Sequence, residues 1–287
     1  MTGVENLPTF IVIGAMKGGT TSLYHYVRDH PETAMPRIKE LDFFVDELNW
    51  SRGVEWYSEQ FAAGGTSGVR GEVSTSYTKF PRYQDVSARM AKVVPDVRLI
   101  YLVRDPVERM RSHYQHRVAN GAETRVPEVA LFEDPIYLDY SRYALQLDQY
   151  LEHFDRGQLL VVTSEELRDE RHETIRRVFD FIGVDPNFVP ASLDREFYRS
   201  DQRRNYPPIV WKARRLIKRW FPYAKRAKEL ADTARRQPST HRARAPRPTD
   251  GAWLDDAVRA RLEAELRADI TRLRDHLAPS FDGWGIA

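Results

Sequence analysis

Thr9-Phe10-Ile11-Val12-Ile13-Gly14-Ala15-Met16-Lys17-Gly18-Gly19-Thr20-Thr21-Ser22 runs from an unbroken apolar stretch into glycines and then hydroxyl residues. Consecutive apolar residues without alternation describe a strand buried on both faces, as in a parallel sheet. Thr20 to His30 carries a helical pattern, and Pro31 stops it. Two further strands of this kind follow. Val97-Arg98-Leu99-Ile100-Tyr101-Leu102-Val103 comes after a helical stretch from Tyr83 to Val94. Leu159-Leu160-Val161-Val162-Thr163 leads through Ser164-Glu165-Glu166 to a helical stretch from Arg171 to Ile182. The alternation predicts an α/β fold, a doubly wound parallel sheet flanked by helices. Ligands in such sheets sit beyond the carboxyl ends of the strands. The loops after Gly14 and after Val103 both lie at such ends.

The chain has 287 residues, 41% hydrophobic and 30% charged, with a formal net charge of +2. That is the composition of an ordinary globular protein, and the length suits one domain over residues 1–287. There are no cysteines, which excludes disulfides, thiolate metal sites and a cysteine nucleophile and fits a reducing compartment. Met1 to Pro8 lacks the pattern of a signal peptide, and no stretch approaches the roughly 18 apolar residues of a membrane span. A soluble, cytoplasmic protein is expected.

A glycine-rich turn between a buried strand and a helix makes an anion site. Its backbone N–H groups point inward, the helix N-terminus adds partial positive charge, and Thr20, Thr21 and Ser22 add hydroxyl donors. Gly14 and Gly19 have the spacing of a nucleoside-triphosphate loop, G-x-x-x-x-G-K-[ST], but Thr20 stands where the lysine belongs and Lys17 lies inside the loop. This argues against a P-loop nucleotide kinase, the alternative reading. Taken alone, the loop also fits a glycine turn with an incidental lysine. In the second loop Arg104 ends a strand, Asp105 and Pro106 suit the start of a helix, and Ser112 lies two turns on. An arginine and a hydroxyl placed so suit a second phosphate, although strand-end arginines also form structural ion pairs.

With both loops in hand, the chain resembles the sulfotransferases that use 3′-phosphoadenosine 5′-phosphosulfate (PAPS), above all the heparan-sulfate-type branch. Ile13 to Leu23 is similar to the family's 5′-phosphosulfate loop, and Arg104 with Ser112 to its 3′-phosphate site. Lys39-Glu40-Leu41-Asp42-Phe43-Phe44 is similar to its K-E-x-x-F-F segment, and Asn49 to Tyr57 to the turn and helix that follow. Asp201-Gln202-Arg203-Arg204-Asn205-Tyr206-Pro207 looks like a degenerate form of its K-G-R-x-H-P loop. The likeness covers roughly residues 9 to 207, with an echo in Phe281-Asp282-Gly283-Trp284. Val73 stands where the family often has lysine, and Gln202 and Arg203 replace lysine and glycine.

The resemblance implies a P-loop-like fold and sulfuryl transfer from PAPS, leaving 3′-phosphoadenosine 5′-phosphate (PAP). Lys17 would stabilise the departing phosphate, with no metal required. The resemblance makes Glu40 the general base. His116 is a second candidate: it shares a helix face with Ser112 four residues before it, and Tyr114-Gln115-His116 resembles the N-sulfotransferases. His113 lies off that face. Lys17, Gly18, Gly19, Thr20, Thr21 and Ser22 would hold the 5′ end, and Arg104, Ser112, Arg203 and Arg204 the 3′-phosphate. Tyr198 packs either on adenine or in the core. Glu40 has a plainer alternative, a surface pairing with Lys39.

Ile209, Ala213, Leu216, Ile217, Trp220 and Ala224 recur at helical spacing, with Lys212, Arg214, Arg215, Lys218 and Arg219 crowding the rest. This basic amphipathic helix within residues 208–250 suits either core packing or contact with an anionic membrane surface or acidic acceptor. Residues 235–250 read as a mobile linker or lid. Nucleic acid is disfavoured because the aromatics lie on the apolar side. The last helix, Asp255 to Leu277, points Leu262, Leu266, Ile270, Leu273 and Leu277 inward. The acceptor is left open among a carbohydrate, a lipid-linked sugar and a small natural product, to be sulfated at a hydroxyl or an amine.

Overall fold

All five residues of β1 (Phe10–Gly14) are buried, which is why its sequence shows no alternation. The computed structural model describes residues 6–62, 68–195, 197 and 253–287. Tyr198, Arg203, Arg204, the basic helix within 208–250 and the stretch 235–250 lie outside those described.

β1 sits at the centre of a five-stranded sheet with β2 (Thr33–Ala34), β3 (Val69–Val73), β4 (Arg98–Val103) and β5 (Leu159–Thr163), in the order β2-β3-β1-β4-β5. Every pairing is parallel. Ile11, Ile13, Leu99, Tyr101, Val103 and Val161 enter one apolar layer. Phe10, Val12, Ile100, Leu102 and Val162 enter the other. Successive side chains of a strand point to opposite faces, so each strand feeds both layers. The first layer also holds Met90 of α3 (Val86–Val93), Met110 of α4 (Pro106–Ala119) and Leu147 of α7 (Tyr143–Leu151). The second holds Leu23 and Val27 of α1 (Thr20–Arg28) and Val178 and Phe179 of α9 (Arg171–Ile182). Between these lie α2 (Gly53–Glu59), α5 (Pro127–Glu133), α6 (Ile136–Asp139) and α8 (Ser164–Asp169).

The strand order places the site. From β1 the chain moves to the β2–β3 side of the sheet, and from β4 it moves to β5 on the other side. Neighbouring strands whose connections diverge leave a crevice at their carboxyl ends. The loops after Gly14 and Val103 flank that crevice.

Two strands depart from the sequence expectation. β3 carries Arg70, Gly71 and Glu72, which do not read as a strand. Gly71 is there because the Phe10 ring occupies the space of its side chain: a Cβ would lie 1.8 Å from Phe10 Cζ. β2 is only two residues long. The C-terminal helix runs over Asp256–Leu273 and gives way to a tighter turn at Arg274–His276, so it stops short of the expected Leu277. Leu262, Leu266, Ile270 and Leu273 are fully buried, and Leu277 is only partly so. Its Asp269 carboxylate accepts from the Ala144 N–H at 3.0 Å and the Leu145 N–H at 2.9 Å, capping the start of α7.

Candidate active site

The first loop is shaped by close approach to β4. The Ala15 N–H donates to the Leu102 carbonyl at 2.7 Å, and the Gly18 N–H donates back to the Ala15 carbonyl at 2.9 Å. A Cβ on Gly18 would sit 2.4 Å from the Leu102 carbonyl oxygen, so only glycine fits. Lys17 holds φ at 74° and Gly19 at 92°. A lysine in the left-handed region is costly, and such strain persists where surrounding contacts impose it. Ser164, the first residue of α8, supplies one such contact. Its hydroxyl donates to the Gly18 carbonyl, with the Val103 carbonyl 3.0 Å away. α1 then starts at Thr20 without a side-chain cap on its first N–H groups, which suits an anion. Phe197 returns to this end of α1, its N–H donating to Ser22 Oγ at 3.2 Å and its ring stacked on His25 at 4.0 Å.

The second loop is built as its sequence implies. Asp105 Oδ1 accepts from the N–H groups of Val107 at 2.8 Å and Glu108 at 3.0 Å, and Pro106 occupies the first turn of α4. Arg104 is part-exposed, with Nη2 3.8 Å from Glu108 Oε2. Ser112 is buried. The long Arg104–Glu108 contact leaves the guanidinium free to turn toward an anion at modest cost.

A third segment brings Glu40 to the same crevice. Lys39 Nζ donates to Thr20 Oγ1 at 3.2 Å and Thr21 Oγ1 at 3.3 Å, and stands 3.1 Å from Glu40 Oε1. Glu40 Oε2 accepts from the Thr75 N–H at 2.7 Å and the Thr75 hydroxyl at 3.0 Å. Glu40 thus pairs with Lys39, and the same lysine also bonds the two residues that open α1.

The turn carrying Glu40 is held from below. Glu40 and Asp42 both have positive φ, 64° and 49°. The Glu40 N–H donates to the Val73 carbonyl at 3.0 Å, and the Asp42 N–H to Ser74 Oγ at 3.0 Å. Ser74 Oγ in turn donates to Glu72 Oε1 at 2.5 Å. The wholly buried Glu72 also accepts from the Tyr77 hydroxyl at 2.8 Å and from the Tyr57 hydroxyl. Burial pushes the Glu72 carboxyl up to about 7 against the pull of these three donors. An acid raised in the folded state binds its proton more tightly folded than unfolded. Stability on this account is greatest near pH 4 and falls as pH rises through about 7. Glu72→Gln is expected to flatten that decline, read from chemical denaturation midpoints at pH 5 and pH 8.

Asp42 is raised to about 6, first by burial and then by the Glu40 charge, with the Lys79 ammonium opposing. Its Oδ1 is buried without a hydrogen-bond partner. Lys79 Nζ donates to Ser76 Oγ at 3.0 Å, and burial lowers its pKa.

Both candidate histidines belong to α4. His113, set aside by spacing, is buried against the rings of Tyr137 and Tyr140, and its Nδ1 has no partner. Burial first, then the charges of Arg109, Arg117 and Lys17, hold its imidazole far below the ordinary histidine range. A histidine so placed is neutral and lies within reach of the Lys17 charge. A ring nitrogen of His116 stands 3.0 Å from Asn120 Nδ2, at the far end of α4.

The sequence and the fold have known counterparts. A family model described as "Sulfotransferase domain" matches residues 7–207. The chain belongs to the sulfotransferase domain family. Among curated relatives, a heparan sulfate glucosamine 3-O-sulfotransferase 3B1 from Mus musculus is 29% identical over 222 residues, covering 71% of this chain and 52% of that protein. A bifunctional heparan sulfate N-deacetylase/N-sulfotransferase 4 from Mus musculus is 28% identical over 205 residues, covering 64% of this chain and 23% of that protein. The chain thus spans about half the length of the first relative and less than a quarter of the second. The expected likeness to the heparan-sulfate-type branch is borne out. The crystal structure of a sulfotransferase from Alicyclobacillus acidocaldarius shares the fold, with TM-score 0.68 and 23% identity over 97% of this chain and 99% of that one.

Spacing alone gives no role to Ser164 or Thr75, gives Lys39 only a pairing with Glu40, and discounts His113. Ser164 had a signal: Thr163 caps α8 through a reciprocal pairing with Glu166, which leaves the next hydroxyl for another purpose.

Proposed function

We propose that this chain moves a sulfuryl group from PAPS to a hydroxyl or amine of a carbohydrate acceptor. The observation that carries the reading is the adjacency of β1 and β4 at the point where their connections diverge. The Lys17–Ser22 loop packs against the end of β4, from which Arg104 leads into the helix that carries Ser112, and this supports a donor with phosphate at both its 5′ and 3′ ends. The heparan sulfate named for the relatives supports a carbohydrate acceptor.

In the transfer, an acceptor oxygen or nitrogen attacks sulfur as the bond from sulfur to the 5′-phosphate oxygen breaks. The acceptor proton passes to Glu40, and the electron pair of the broken bond stays on the phosphate. Lys17 and the Gly18–Ser22 donors meet that growing charge. Glu40 is favoured over His116 as the base because Lys39 ties it to the anion loop.

The test is differential stabilisation. PAP at a hundred times its dissociation constant adds about 2.7 kcal/mol to folding stability, a rise of a few degrees in melting temperature. ATP with magnesium is expected to raise it less. A larger rise with ATP and magnesium would turn the reading toward a nucleotide kinase. Transfer of label from radioactive PAPS into a desulfated heparan sulfate chain then tests the carbohydrate acceptor.

A further inference from the structure

Glu40 and Lys39 are neighbours in the chain, and neighbouring side chains of an extended segment point to opposite sides. The left-handed φ of 64° at Glu40 breaks that alternation and turns both side chains toward one point. An ammonium has three N–H donors. Those of Lys39 face three oxygens at hydrogen-bonding range: Thr20 Oγ1 at 3.2 Å, Thr21 Oγ1 at 3.3 Å and Glu40 Oε1 at 3.1 Å. Two of these belong to the residues that open α1 at the anion loop. The third belongs to the carboxylate on the acceptor side. The other oxygen of Glu40 is committed to Thr75, so Oε1 is the one left to take a proton.

We infer that Lys39 is a donor-binding residue that Glu40 holds while the donor is absent and yields when the donor arrives. This rests on the assignment of PAPS to the Lys17–Ser22 loop. Two threonine hydroxyls are weak acceptors beside a phosphosulfate, which offers several charged oxygens. The Lys39–Glu40 pair is part-exposed, with side chains 21% and 35% accessible, so it exchanges at little cost. Donor oxygens entering beside Thr20 and Thr21 therefore compete for the ammonium and release Glu40 Oε1. The base becomes available once the sulfuryl group is in place, which orders donor before acceptor.

Competition for one cation has a signature that simple charge placement lacks. PAPS affinity is measured by calorimetry, without acceptor, for the wild type, Lys39→Met, Glu40→Gln and the double variant. Both side chains line the cleft surface, so neither substitution removes core packing. Lys39→Met is expected to weaken PAPS binding about tenfold, as the loss of a charge-assisted hydrogen bond does. Glu40→Gln is expected to tighten it by up to about fivefold, the worth of a part-exposed ion pair. In the double variant that gain disappears, and the affinity matches Lys39→Met within about twofold. If the gain persists without Lys39, it comes from removing a negative charge near the donor, and the inference is wrong. Unchanged PAPS affinity in Lys39→Met is equally fatal. Failure of the wild type to bind PAPS overturns the donor assignment instead, so the two failures are told apart.

Discussion

Lys17→Ala is expected to lower sulfuryl-transfer turnover by about 10²–10³-fold, the usual effect of losing one oxyanion donor. The loop spends strain on this residue: at φ 74°, Lys17 adopts a backbone conformation that a glycine would hold more cheaply. Within residues 14–22, Lys17 is the only charged side chain, so the loop's cation comes from this position. Lys17 is half-buried, and Ala15 and Gly18 near it pack against the Leu102 carbonyl of β4, so the residue stands where β1 and β4 end side by side. In the proposed transfer, an ammonium there meets the charge that develops on the leaving phosphate oxygen, which is absent from the ground state. The loss should therefore fall on turnover. Affinity for PAP, whose 5′-phosphate keeps its backbone and hydroxyl donors, should change only severalfold. Label transfer at saturating PAPS, together with PAP calorimetry, separates the two. A Lys17→Ala protein with near-normal turnover, or one that loses PAP binding in proportion to turnover, would show that Lys17 only holds the nucleotide.

The legible parts of this molecule are those where one physical requirement acts on consecutive residues. β1, β4 and β5 are covered on both faces, so burial acts at nearly every position and the apolar run shows it. The anion loop is legible for a similar reason, because close backbone approach at Gly18 and a left-handed turn at Gly19 both demand glycine. β3 escapes because its requirements come from elsewhere in the chain. Gly71 yields space to Phe10, and Glu72 is buried only because Tyr57, Ser74 and Tyr77 converge on it. The same holds in the site. Ser164 reaches a carbonyl 146 residues away, and Lys39 meets Thr20 only through the turn at Glu40. His113 was set aside on helical spacing relative to Ser112. Spacing describes one helix, whereas its surroundings come from α6, the residues that follow it and the first loop.

Glu40→Gln is expected to cost about 10²–10⁴-fold in turnover, the contribution typical of a positioned general base. The substitution is a sharp one because the surroundings of Glu40 distinguish its two oxygens. An amide oxygen can take the place of Oε2 and accept from the Thr75 N–H and hydroxyl, so the turn keeps its anchor. The amide nitrogen then stands where Oε1 faced Lys39, and it can neither accept a proton nor pair with the ammonium. Turnover and donor affinity should consequently move in opposite directions, with transfer falling steeply while PAPS binds at least as tightly as before. A structural role for Glu40 predicts the reverse, since a collapsed turn would loosen the donor loop through Lys39, Thr20 and Thr21. His116→Ala provides the comparison: with its ring near Asn120 at the end of α4, it should lower turnover by less than Glu40→Gln does. Single-turnover label transfer with PAPS saturating reads both variants. Near wild-type transfer by Glu40→Gln, or a larger loss in His116→Ala, would move the base to α4.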